Sequence, residues 1–262
     1  MAGDEPIVEL KGVGKSFDAA AAVRGVSLAV AKGQFVAMVG ASGSGKTTTL
    51  KMVNRLAEPD QGEVLVQGSP VREVPAPELR RRIGYVFQGV GLFPHLTVAE
   101  NIGVTPSLLG WPKPDIAARV AELLQLVDLP EAYAARAPSA LSGGERQRVG
   151  VARALAARPG IVLMDEPFGA LDPITRDALG RAYRALHDRL GLTTLMVTHD
   201  MQEAILLADR IVVMKAGRVL ADAEPRTLMA AADPEVAGLM DMPRRQAERV
   251  RALLAGENLP HG

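Results

Sequence analysis

Cysteine is absent from this 262-residue chain, which excludes disulfides, thiol catalysis and thiolate metal sites. The absence fits a reducing cytoplasm. An excess of either charge is missing too: 30 basic residues balance 30 acidic ones, so bulk attraction to nucleic acid is not expected. No apolar run reaches the roughly 18 residues that a bilayer span needs. The most apolar late stretch, residues 204–214, is broken by Asp209 and Arg210. The first six residues carry Asp4 and Glu5 instead of a basic segment with an apolar one behind it, so no secretory leader is expected. There is no internal repeat, and no low-complexity tract beyond the Ala-rich patch at 19–22. The expectation is a chain neither secreted nor membrane-spanning by itself, which reaches any membrane through a partner.

What is present is globular composition, 48% hydrophobic and 23% charged, in a length that suits one large domain or a core with an inserted subdomain. Residues 7–13, 24–30 and 35–39 read as strands, the last an apolar run bounded by Gly33 and Gly40. Leu50, Val53, Leu56 and Ala57 follow helical spacing, and 62–68 reads as another strand with Val64 and Val66 on one face. The middle, 89–157, is helical with proline-containing loops, with Ile116, Val120, Leu123 and Val127 on one stripe.

Strands then return at 161–164, 194–197 and 211–214. Between the first two, Asp172-Pro173 reads as an N-cap followed by proline at the first helical position. That helix is expected to run to about Leu190, with Leu179, Ala182, Tyr183, Leu186 and Leu190 facing inward. Strands alternating with helices predict an α/β fold with a mostly parallel sheet. The predicted organisation is a nucleotide-binding domain over 1–224, its core formed by 1–88 and 156–224. A helical subdomain is inserted at 89–155, and 225–262 form a helical extension in which no functional signal is read.

Gly40-Ala41-Ser42-Gly43-Ser44-Gly45-Lys46-Thr47 matches GxxxxGK[ST] between a predicted strand and a predicted helix. Glycines let successive backbone N–H groups turn toward one anion, and the helix adds its positive dipole end. Lys46 can reach the β- and γ-phosphates, and the Thr47 hydroxyl can ligate Mg²⁺. The apolar run 161–164 ends in Asp165 and Glu166, and ligands of parallel sheets sit beyond the carboxyl ends of strands. Asp165 is placed to hold Mg²⁺ directly or through water, and Glu166 to orient or deprotonate an attacking water. His199 follows another core strand and is read as a γ-phosphate contact, while Asp200 and Glu203 look like a capping-box variant. His95 and His187 are read as loop and helix-surface residues.

Ser142-Gly143-Gly144 opens a predicted helix and offers a second anion-binding surface. One phosphate does not need two such surfaces in one chain. Two chains facing head to tail would set each against the other's nucleotide.

The stretch Leu141 to Arg148 resembles the signature motif of the ABC ATPase family, and the remaining motifs fall in that family's order over about residues 7–224. The resemblance implies that 40–47 form the phosphate loop and that Asp165 and Glu166 are the Walker B pair. It also implies that Ala170-Leu171-Asp172 form the D-loop and that His199 is the switch histidine. Gln88 takes the Q-loop position, with catalytic and metal-binding roles, and Phe17 the place where an aromatic ring stacks on adenine. Ser42, Gly43, Ser44, Gly45, Lys46, Thr47 and Thr48 would hold ATP in one chain, with Ser142, Gly143 and Gly144 completing the partner's site. The implied partners are a second ATPase subunit, identical or paired, a polytopic membrane permease and, indirectly, a solute-binding protein. The implied location is cytoplasmic, peripheral on the inner membrane face, with no nucleic-acid role.

Within that family, residues 49–56, 91–97 and 169–176 resemble bacterial importers of osmoprotectants such as glycine betaine, choline or carnitine. Gly89 after Gln88 departs from the larger polar residue expected there, in the region where a permease helix would dock. No tandem CBS domains are expected within these 262 residues. The competing expectations are an importer ATPase for another small solute, a soluble ABC ATPase acting on DNA or ribosomes, and a nucleotide-dependent assembly factor.

Overall fold

The computed structural model describes residues 5–18, 20–89, 91–169 and 171–254. Residues 1–4 of the leader expectation, Ala19 of the Ala-rich patch, Ala170 of the D-loop-like segment and 255–262 of the extension lie outside the described residues.

Two sheets organise the chain. Strands β1 (Val8–Phe17), β2 (Ala20–Val30), β4 (Gln61–Val66) and β5 (Ser69–Pro70) form an antiparallel sheet in the order β2-β1-β4-β5. The second sheet has the order β10-β9-β3-β8-β7-β6. Its strands are β3 (Phe35–Val39), β6 (Ile83–Val86), β7 (Ile161–Asp165), β8 (Thr193–Val197), β9 (Arg210–Lys215) and β10 (Arg218–Ala223). All pairings there are parallel except the β9–β10 edge hairpin.

Burial on both faces explains why β3, β7 and β8 read as unbroken apolar or small-residue runs instead of alternating patterns. Successive side chains enter opposite cores: Phe35, Ala37 and Val39 join the helices, whereas Val36 and Met38 pack toward the antiparallel sheet. Helix α1 (Lys46–Val53) lies in the second core with Leu50, Met52 and Val53. It is shorter than its spacing predicts. The chain leaves the helix at Asn54, Arg55 turns left-handed at φ 57°, and Leu56 is 43% exposed. Helix α2 (Ala76–Arg82) leads into β6.

The inserted helices α3 (Val98–Leu108), α4 (Lys113–Leu126) and α5 (Gly143–Leu155) join the first core through residues such as Ile102, Val120, Leu123 and Val149. Ile116 and Val127 also pack there, as their stripe predicts. Helix α6 (Pro173–Leu190) starts as expected, with the Asp172 carboxylate accepting from the N–H groups of Ile174 and Thr175. Its inner face differs from expectation: Ala182 and Leu190 are exposed, and His187 is buried.

The reason for the buried histidine is a polar gap under the helix. His187 Nε2 lies 3.2 Å from the Gly33 carbonyl, which can only accept, so Nε2 donates. Nδ1, 3.0 Å from Thr194 Oγ1, then accepts the threonine proton. Burial, and next Arg184, push the His187 pKa down, which favours this neutral form. Helix α7 (Met201–Leu207) also corrects an expectation. The Asp200 carboxylate accepts from the Glu203 N–H, but the reciprocal half of a capping box is replaced by a bond between the Glu203 carboxyl and Thr198. Helices α8 (Pro225–Met229) and α9 (Pro234–Leu254) follow, and Leu228, Val236 and Met240 are buried in the first core. Among the described residues, no helix is long and apolar enough to cross a membrane.

Candidate functional site

The loop between β3 and α1 is shaped by three glycines for different reasons. At Gly40, φ 144°, an added Cβ would lie 2.1 Å from the Met214 carbonyl oxygen of β9. At Gly45, φ 97°, it would lie 2.4 Å from the Ala22 carbonyl oxygen of β2. Both positions exclude any side chain. Gly43 has φ 76° and open space around it, so only its left-handed backbone asks for glycine. Gly45 caps α1 without a side chain, leaving the amides of the first turn without intrahelical partners and aimed at the loop.

Lys46 opens α1 and folds back over the loop. Its Nζ donates to the carbonyls of Gly40 at 2.8 Å and Ala41 at 2.9 Å, close to Ser44 Oγ at 3.4 Å. Burial pulls the Lys46 pKa down, and the nearby Glu166 and Asp165 carboxylates pull it back. Ser44 is buried, Ser42 is exposed and Thr48 is half-buried.

Thr47 Oγ1 donates to Asp165 Oδ1 at 2.8 Å, which joins the start of α1 to the end of β7. Asp165 is 3% exposed, and burial raises its pKa against the opposing pull of Thr47, Lys51 and Lys46. Next along the chain, Glu166 turns into the left-handed region at φ 47°, while its N–H donates to the Val197 carbonyl at 2.9 Å. This turn brings its carboxylate to two other predicted residues. Gln88 Nε2 donates to Glu166 Oε2 at 3.1 Å, and His199 Nδ1 lies 3.4 Å from the same oxygen. Hydroxyl and carboxylate oxygens are hard donors, the set that suits Mg²⁺, and Thr47 and Asp165 are already adjacent.

Phe17 ends β1, is 52% exposed and carries Lys15 Nζ 5.6 Å above its ring. The β1–β2 hairpin also supplies Ala22, whose carbonyl touches the Gly45 position, so Phe17 belongs to the element that borders the phosphate loop.

The Ser142 segment lies elsewhere. Ser142 caps α5 in a reciprocal box: its Oγ accepts from the Glu145 N–H at 3.2 Å, and Glu145 Oε2 accepts from the Ser142 N–H at 2.6 Å. Tyr133 also donates to Glu145 Oε1 at 2.9 Å. Ser142, Gly143 and Gly144 open into a depression of about 490 Å³ shared with Tyr133, Leu171 and Asp172. None of the residues lining it comes from 40–48.

Four polar residues near the site have no site role in the sequence reading. Gln147 is buried and donates to the Pro167 carbonyl, tying α5 to the segment after Glu166. Tyr85 on β6 lies next to Asp165, and burial and then this carboxylate push its pKa up. Glu203 is 8% exposed, and burial raises its pKa to about 7. Arg176 pairs with Asp200 at 3.0 Å. Polar character at a buried position was the available signal for Gln147, two residues beyond Glu145 in the signature-like stretch.

The phosphate loop at the end of a central parallel strand, with Asp165 and Glu166 on the neighbouring strand end but one, defines a nucleotide-binding protein of the α/β phosphate-loop class. The ABC transporter family model matches residues 23–169, and the chain belongs to that family. Among similar proteins is the "Choline transport ATP-binding protein OpuBA" of Bacillus subtilis (strain 168), 52% identical over 208 residues, covering 79% of this chain and 55% of that protein. The "Glycine betaine uptake system ATP-binding protein YehX" of Escherichia coli (strain K12) is 48% identical over 223 residues, covering 85% of this chain and 72% of that protein. The chain spans about half the length of the first of these relatives. A dimeric post-hydrolysis structure of the ATP-binding cassette MJ0796 bound to ADP and Pi superposes with TM-score 0.77 at 35% identity, covering 83% of this chain and 98% of that one.

Proposed function

We propose that this chain is the ATP-hydrolysing subunit of an importer for a small osmoprotectant such as glycine betaine, choline or carnitine. The observation that carries the ATPase reading is the convergence of Gln88 and His199 on one oxygen of Glu166, beside the Thr47–Asp165 pair.

Lys46, the amides of 43–48 and the side chains of Ser42, Ser44 and Thr48 bind the phosphates, and Phe17 stacks on the adenine. Thr47, Asp165 and Gln88 would hold Mg²⁺, which would supply positive charge to offset that of the phosphates. Glu166 orients the attacking water and accepts its proton, while Gln88 and His199 keep the carboxylate aimed. Ser142, Gly143 and Gly144 line a depression to which their own residues 40–48 contribute nothing, which supports a head-to-tail pair whose sites are each completed by the other subunit.

The boundaries proposed are an ATPase domain over 1–224, with core segments 1–88 and 156–224 and helical subdomain 89–155, followed by the extension. A cleft of about 510 Å³ between these two parts, lined by Tyr85, Phe87, Gly91, Phe93, Leu108 and Arg153, would receive a helix of a polytopic permease on the inner membrane face. Phe87, Phe93 and Leu108 are 43%, 43% and 59% exposed there, apolar surface that a partner helix would cover. The relatives' names and the segments 49–56, 91–97 and 169–176 support the osmoprotectant class.

Deleting the gene should lower uptake of radiolabelled glycine betaine, choline or carnitine at high osmolarity. Equal uptake of all three with and without the gene overturns the substrate reading and leaves the ATPase reading in place.

A further inference from the structure

One charged residue of the segment 169–176 has no task in the mechanism above. Arg176 stands in the first turns of α6, its own N–H donating to the Asp172 carbonyl at 2.9 Å. We infer that Arg176 is a positioning residue for hydrolysis, its guanidinium holding the loop after β7 and the loop after β8 in one fixed relation. The inference rests on the ATPase reading.

The planar fork reaches both loops at once. Nη2 donates to the Leu171 carbonyl at 3.2 Å, and Nη1 pairs with Asp200 Oδ2 at 3.0 Å. Asp200 is itself held from two sides. Its other oxygen accepts from the Glu203 N–H at 3.1 Å, and its N–H donates to Thr198 Oγ1 at 3.0 Å. His199 lies between these anchored neighbours. Its side chain is 64% exposed and meets Glu166 at 3.4 Å, so the ring takes its place from the backbone on either side. On the other loop, Leu171 is 5% exposed, and a Cβ added at Gly144 would lie 3.5 Å from its Cδ2. One side chain thus relates the His199 loop to the segment facing Ser142-Gly143-Gly144.

Stability is a poor explanation for this contact. Both partners of the ion pair are 30% exposed, and such pairs contribute little. Position is the better one, because a misplacement of about 1 Å at a reacting group can cost about 100-fold in rate. Lysine keeps the charge but has no planar fork with which to reach both acceptors.

The test compares wild type, Arg176→Lys, Arg176→Met, Asp200→Asn and the Arg176→Lys/Asp200→Asn double variant in the full chain. Amide hydrogen exchange in 171–172 and 198–200 should accelerate together in Arg176→Lys, with Tm shifted by less than about 3 °C. Its kcat should fall about 10- to 100-fold with KM for ATP unchanged. Arg176→Met should fall at least as far, and the double variant no further than the worse of its two single variants. Unchanged exchange in either loop, a wild-type kcat, or a loss carried by KM overturns the inference. If the wild-type chain itself does not hydrolyse ATP, the ATPase reading falls and this role with it. If the wild type hydrolyses ATP and Arg176→Lys matches it, only the role of Arg176 falls.

Discussion

Replacing Glu203 by glutamine tests whether a buried acid beside His199 carries a proton near neutral pH. Glu203 is 8% exposed, and burial is the largest influence on its carboxyl, followed by the opposing bond from Thr198. Asp200 adds to the rise, while Arg176 and His199 act against it. The result is a folded-state pKa of about 7 against 4.5 for the free side chain. A carboxyl with a raised pKa binds its proton more tightly in the folded chain. Its stabilising contribution is therefore complete below about pH 4.5, is lost as pH rises through about 7, and is gone above that. A difference of about 2.5 pKa units corresponds to about 3 kcal/mol. Glutamine keeps a carbonyl for the Thr198 hydroxyl and has no proton to lose.

The assay is urea unfolding of wild type and Glu203→Gln at pH 5 and pH 8, which subtracts every other titration the two proteins share. The stability of the glutamine variant relative to wild type should grow by about 2 to 3 kcal/mol across that interval. A difference independent of pH would show Glu203 ionised throughout, and would refute the claim that burial outweighs Arg176, His199 and Thr198.

Lys46→Ala should abolish ATP hydrolysis and weaken nucleotide binding, since the phosphates lose a point charge in a partly desolvated site; hydrolysis near the wild-type rate would remove the phosphate-loop assignment. Ser142→Arg should leave nucleotide affinity of the monomer nearly intact while eliminating hydrolysis, and titration calorimetry that finds affinity and activity lost together would argue for a single-chain site. Glu166→Gln should slow turnover by about 10²–10⁴ and, by removing one negative charge near the γ-phosphate, prolong an ATP-bound dimer visible by size-exclusion chromatography. A Glu166→Gln protein that stays monomeric in ATP and turns over normally would defeat the general-base role.

The α/β class and most of the strands were legible in the sequence because double-sided burial leaves unbroken apolar runs such as 35–39 and 161–164. The misplaced residues depend on partners far along the chain. His187 looked like helix surface because it is polar, yet it answers the Gly33 carbonyl, 154 residues away. Leu190 looked internal because it continues a stripe, but Gly191 ends the helix with φ 60° directly after it and Leu190 stays 50% exposed. Leu56 fell off its helix for a similar local reason, the left-handed turn at Arg55. Periodicity reports which face could be buried; it does not report where the neighbouring element stops.

The candidate site divides along the same line. Lys46, Thr47, Asp165 and Glu166 stand out because their chemistry is tied to short spacings and strand ends. Their mutual arrangement depends on contacts that no spacing records. Gly40 and Gly45 are the two glycines that GxxxxGK[ST] fixes, but the motif does not say that β9 and β2 crowd them, while Gly43 at a free position has open space around it. Thr47 meets Asp165 across 118 residues, and Gln88 meets Glu166 across 78. Glu166 meets Gln88 and His199 from a left-handed turn that its residue type does not favour. The backbone cost of that turn, of order 1–3 kcal/mol, is sustained by its N–H bond to Val197 and by the sheet on either side. The turn at Glu166 and the tie through Arg176 therefore meet in one arrangement: the first carries the carboxylate that Gln88 and His199 contact, and the second holds the loop that brings His199 to it.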